Sequence, residues 1–110
     1  MSELLILEFD GLDRAAYERV NKALGINPDS GEGDWPAGLL THSAGATEKG
    51  WIVVEVWESR EDQDSFMKNR LGAALQQGGV DKPPTRVEWA GSMAHHAPGR
   101  ASAATAGSAS

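Results

Sequence analysis

His42 and Glu55 are the two side chains of this sequence whose type and placement suit proton chemistry. His42 is the only histidine inside the predicted body, on a strand where Leu40 and Ala44 share its side. An imidazole titrates near neutrality, so there it can take a proton from a phenol. The same position also suits an edge-strand histidine bonded to a neighbouring backbone. Glu55 interrupts the otherwise apolar run Trp51-Ile52-Val53-Val54-Glu55-Val56-Trp57. A carboxylate there must be paired, hydrated or kept protonated by burial. It is either a pocket base or a structural acceptor for Arg70, Arg86 or a side chain of a partner subunit. Glu8 interrupts the first strand in the same way, and opposed parity can put the two carboxylates on different faces of a sheet.

Trp35, Trp51, Trp57, Trp89, Tyr17 and Phe66 carry nearly all the aromatic surface. Most of it belongs to core or subunit packing. Trp35 differs because it sits in a Gly/Asp/Pro-rich stretch and needs somewhere to dock; the rim of a cavity serves, and its indole N–H can orient a ligand oxygen. These residues predict a flat, mostly apolar ligand between helix and sheet, touched by Tyr17, Trp35, Phe66 and Met67, with Arg70 able to balance an anion. Other constellations fail. His95 and His96 are sequence neighbours that point apart, so no metal site is expected, and Gly31-Glu32-Gly33-Asp34 lacks the lysine of a phosphate loop. Ser43 faces away from His42, and there is no G-x-S-x-G elbow.

The elements that must position these groups follow from periodicity. Glu3 to Phe9 reads as a buried strand, ended by Asp10-Gly11. Asp13 caps a helix whose Ala16, Tyr17, Val20, Ala23 and Leu24 share a face, with Leu12 stapled on Tyr17, and Gly25 closes it. Gly25 to Gly38 is a long connection, either disordered or a lid. Leu39 to Ala44 and Trp51 to Trp57 form a hairpin around a turn at Gly45 to Gly50. Ser59-Arg60-Glu61-Asp62 resembles a capping box and starts a second helix with Phe66, Met67, Arg70, Leu71, Ala74 and Leu75 on one stripe, ended by Gly78-Gly79. Thr85 to Ala90 is the last strand, with Val87 and Trp89 alternating against Arg86 and Glu88. The order β-α-β-β-α-β predicts a four-stranded antiparallel sheet with the first and third strands inside. Trp51 to Trp57 is apolar on both faces, so the face without helices needs a second layer, most simply the sheet of an identical subunit.

The chain has 110 residues and a net charge of −6, with ten basic residues scattered along it. No basic stripe is present to neutralise phosphates, so neither nucleic acid nor a membrane surface is an expected partner. Residues 1–95 are expected to form one domain and residues 96–110 a disordered Ala/Ser/Gly tail. The N-terminus carries an acidic residue where a secretory signal is basic, which predicts a cytoplasmic protein; cysteine is absent, which fits that compartment.

The segment Val53-Val54-Glu55-Val56-Trp57-Glu58-Ser59 running into the Phe66 helix, with Gly38-Leu39-Leu40-Thr41-His42 before it, resembles the dimeric α/β-barrel superfamily. The likeness is to small antibiotic-biosynthesis-monooxygenase-like proteins and spans about residues 3 to 93. It implies a ferredoxin-like α+β fold and a homodimer. It also implies a cofactor-independent monooxygenase acting on an aromatic or polyketide-like molecule, with His42 or Glu55 as base. The superfamily includes isomerases and members with no demonstrated reaction, so an isomerase and a non-catalytic binding or structural module stand as alternatives. Haem-degrading relatives place a histidine on the second helix, and residues 60 to 77 contain none.

Overall fold

The computed structural model describes residues 2–96 and Pro98. Apart from His96 and Pro98, the expected tail lies outside the described residues. The chain runs β1 (Glu3–Asp10), α1 (Arg14–Leu24), β2 (Leu39–Ala46), β3 (Gly50–Trp57), a second helix, and β4 (Arg86–Ala90). That helix is continuous in three parts: α2 (Arg60–Phe66), a π-helical stretch (Met67–Leu71) and α3 (Gly72–Gln77). The result is an α+β fold with an open, four-stranded antiparallel sheet in the order β2-β3-β1-β4, compatible with a ferredoxin-like fold.

Both helices start on residues that satisfy free N–H groups. Asp13 accepts from the Ala16 amide at 2.9 Å, and Ser59 accepts from the Asp62 amide at 3.1 Å while its hydroxyl donates to the Asp62 carboxylate. At the end of α1, Gly25 adopts φ 79°, and the amides of Gly25 and Ile26 return to the carbonyls of Lys22 and Asn21. Gly38 has φ +87° and lies against Asp62, so a side chain there meets both a strained backbone and a clash.

Register divides the sheet cleanly. Leu5 and Leu7 of β1 and Trp51, Val53 and Trp57 of β3 are buried under the helices with Phe66. Ala16, Val20, Ala74 and Val80 form a second cluster where α1 meets α3. By alternation, Leu4, Ile6, Ile52, Val54 and Val56 face the side away from the helix-packed clusters; Val56 is buried there, and the other four are partly exposed. Glu8 lies there too, opposite Ile52, and its carboxylate accepts from Arg86 at 2.7 Å. Glu8 and Glu55 therefore occupy different faces.

Three local features depart from the periodic reading. The register slips between Leu39 and Thr41, leaving Leu40 exposed instead of beside His42. The strand β2 runs on to Ala46, so the turn is shorter than Gly45 to Gly50 and closes with the Thr47 amide bonded to the Gly50 carbonyl at 2.9 Å. Val87, on the edge strand β4, is 55% exposed and does not join the core as Trp89 does.

Candidate functional site

Between the sheet and the helices lies a cavity of about 300 Å³ with an almost wholly apolar wall. Trp51, Val53 and Glu55 of β3 form its floor, Tyr17 of α1 and Phe66 and Met67 of the second helix its sides. Trp35 and Pro36 enter from the long connection, and Lys82, Pro83 and Pro84 come from the segment before β4. Its volume is at the lower end of small-molecule sites.

One hydrogen-bonded chain supplies the polar chemistry. Antiparallel pairing sets His42 directly opposite Glu55, on the helix side of the sheet. His42 Nδ1 lies 2.7 Å from Glu55 Oε2, and His42 Nε2 lies 2.5 Å from the Tyr17 hydroxyl. The second carboxylate oxygen of Glu55 accepts the indole N–H of Trp57 at 3.0 Å. The His42 and Glu55 side chains are only 15% and 10% exposed. With Glu55 ionised, its carboxylate only accepts, which puts the proton of that bond on Nδ1 and leaves Nε2 to accept the phenol O–H. A neutral imidazole satisfies both bonds. The Tyr17 and His42 ring planes are 8° apart, an orientation that suits an in-plane bond to the Nε2 lone pair. Burial raises the Tyr17 phenol above its usual value, so the resting group is the neutral phenol.

The structure thus brings His42, Glu55, Tyr17, Trp35, Phe66 and Met67 to one cavity and leaves Arg70 out of its wall. The Arg70 guanidinium donates to the carbonyls of Leu24 at 2.9 Å and Asp34 at 2.6 Å, lies over the Phe66 ring, and is 3.4 Å from the Asp34 carboxylate. Arg70 is a latch between the second helix and the long connection, outside the cavity wall where a partner for a ligand anion is expected. It also does not pair with Glu55; Arg86 does not either, being engaged by Glu8 and Glu88. The Trp35 N–H donates to the Gly31 carbonyl at 2.9 Å, so it serves the connection's own structure and not a ligand oxygen. Its ring nevertheless sits 5.4 Å from that of His42.

Two features escaped the sequence reading. Trp57 N–H holds Glu55, which follows from their two-residue spacing on one face of β3. Trp51 Nε1 is buried with no protein acceptor, and its ring packs on Tyr17 at 5.0 Å. Among the described residues no group of three His, Asp or Glu side chains is arranged to hold a metal, and no helix is long and apolar enough to cross a membrane. Protein-family models give no match to the chain, and neither do curated proteins.

The latch makes a testable prediction. Arg70→Met keeps the apolar stem but removes three polar contacts, costing about 1–3 kcal/mol locally. Hydrogen exchange of the Asp34 amide, which bonds the Gly25 carbonyl at 3.0 Å, is then expected to quicken by about tenfold or more. Unchanged exchange contradicts the latch.

Proposed function

We propose that this chain is a cofactor-independent monooxygenase of the dimeric α/β-barrel kind, acting on an aromatic or polyketide-like small molecule in the cytoplasm. The observation that carries the reading is the Tyr17–His42–Glu55 chain, a proton-accepting system set in an apolar cavity of ligand size. Deprotonation of an anthrone-type substrate yields a carbanion that passes one electron to dioxygen. The radical pair combines to a peroxide, which loses water. One CH₂ and one O₂ become one C=O and one H₂O, so a single oxygen atom stays in the product. The protein's share is deprotonation, orientation by the aromatic wall and exclusion of bulk water.

A non-catalytic binding module is favoured by a different observation: both nitrogens of His42 and both oxygens of Glu55 already have partners. An isomerase needs the same base and no oxygen. Oxygen uptake by the metal-free protein, measured against anthrone-type and dihydroxy-aromatic compounds, separates the three. Uptake that His42→Ala abolishes supports the oxygenase. No uptake across the panel overturns it for these substrates and turns the search to ligand binding or isomerisation.

The homodimer belongs to the same reading. Leu4, Ile6, Ile52 and Val54 are side by side on the open face and only half-buried, and a second copy covers them most simply. Val54→Lys sets like charges against each other across a two-fold axis and desolvates them. Light scattering is expected to show the dimer mass halved in the variant. A wild-type chain of monomer mass, or a variant that stays dimeric, contradicts this assembly.

A further inference from the structure

We propose that the phenolic oxygen of Tyr17, and not a nitrogen of His42, is the atom that takes the proton of a bound phenol or enol, while His42 stores the proton and Glu55 supplies its counter-charge. The inference rests on the reading that the cavity deprotonates its ligand, and it changes which residue touches that ligand.

The geometry leaves His42 no free face for the work. Its Nδ1 proton is committed to Glu55 at 2.7 Å, and its Nε2 lone pair is occupied by the Tyr17 hydroxyl at 2.5 Å. A ligand reaches Nε2 only by displacing Tyr17, and Tyr17 belongs to the wall. Its ring is half-buried against the main core and held by the Trp51 ring at 5.0 Å. The hydroxyl uses its proton on His42, and its oxygen retains lone pairs for a ligand. Asn21, one turn along α1, bonds the Tyr17 backbone carbonyl at 2.9 Å, and its amide also favours the ionised form of the phenol, against the larger effect of burial.

The transfer balances without any further reactant. As the ligand O–H bond breaks, a new O–H bond forms at Tyr17. The original Tyr17 O–H bond breaks in the same event, and an N–H bond forms at His42 Nε2. Tyr17 ends as it began, the ligand is an anion, and His42 is an imidazolium facing Glu55. The ionisable side chains lining the cavity are Tyr17 of α1, His42 of β2, Glu55 of β3 and Lys82 of the segment before β4; Arg70 turns to the connection. Because burial holds Tyr17 neutral, the phenol is a conduit and not a resting phenolate.

The test uses the full chain without oxygen and takes 4-nitrophenol as the probe, at a pH where the free probe is neutral. Its phenolate is coloured, so binding and ionisation are read separately, by equilibrium dialysis and by absorbance. Wild type is expected to bind the probe as phenolate. Tyr17→Phe, which keeps the ring, is expected to bind it at similar occupancy with about tenfold less phenolate or lower, and His42→Gln to show the same loss. Ionisation retained in Tyr17→Phe but lost in His42→Gln overturns the inference in favour of direct attack by His42. Ionisation retained in both, or no binding by wild type, also overturns it. Tyr17 is the single tyrosine of the chain, so tyrosinate absorbance of the free protein reports on it alone. None is expected at neutral pH, and its presence there overturns the conduit. Oxygen plays no part in these arms, so the relay can stand where the oxygenase reading fails.

Discussion

Glu55→Gln is expected to lower substrate-dependent oxygen uptake by about 10²–10⁴-fold, the range spanned by a positioned acid–base group. The size follows from a mismatch that an amide cannot resolve. Glu55 receives two donors, the Nδ1–H of His42 and the Nε1–H of Trp57, one on each oxygen. Glutamine offers one acceptor and one NH₂ group. If its oxygen faces His42, two donors meet at Trp57. If it faces Trp57, the amide N–H turns on Nδ1, the imidazole must move its proton to Nε2, and the phenol of Tyr17 loses its acceptor. Either orientation also removes the charge that balances a protonated His42. The buried mismatch costs about 1–3 kcal/mol of stability, so a melting curve accompanies the rate measurement. Turnover within threefold of wild type contradicts the role given to Glu55.

Trp57→Ala is expected to be the most damaging single truncation, at about 3–5 kcal/mol. The side chain is 0% exposed, it sits beside Phe66 at a centroid distance of 5.8 Å, and its N–H is the second partner of Glu55. Removing it empties the middle of the main core and strands a carboxylate oxygen. Trp57→Phe separates the two effects: it keeps most of the packing, loses the hydrogen bond, and is expected to cost about 1–3 kcal/mol. Urea unfolding reads both variants. A cost below about 2 kcal/mol for Trp57→Ala indicates that the neighbours collapse into the space and that the cluster is less tightly built than described.

The elements were legible where local chemistry is strong. Asp13, Gly25 and Ser59 bound the helices because capping needs only a few neighbouring atoms. Alternation separated Trp51, Val53, Glu55 and Trp57 from Ile52, Val54 and Val56, and the two strands richest in apolar residues, β1 and β3, are the inner ones. Glu8 and Glu55 part company for the same reason. What stayed hidden depends on register or on distant partners. The bulge that expels Leu40 leaves no trace in composition, and the wide turn at Met67–Leu71, where the Gly72 amide bonds the Met67 carbonyl, shows only in backbone geometry.

The site was half legible for related reasons. His42 and Glu55 stand out as polar side chains in apolar strands, yet only the pairing of β2 with β3 makes them neighbours. Tyr17 reads as a packing residue on the face of α1, and nothing local announces that its hydroxyl meets an imidazole 25 positions away. Arg70 is a long cation on an inward stripe, which suits an anion, while in the structure it meets backbone carbonyls of α1 and the connection, which no residue type advertises, and the Asp34 carboxylate.

Whether the Tyr17–His42–Glu55 chain drives an oxygenation is settled most directly with heavy-oxygen-labelled dioxygen. The metal-free protein is incubated under this gas with anthrone-type and dihydroxy-aromatic compounds, and the products are weighed by mass spectrometry. One labelled oxygen atom is expected in the product of at least one of them, with incorporation lost in Glu55→Gln. Conversion that carries no label, or labelling that is undiminished in Glu55→Gln, contradicts it.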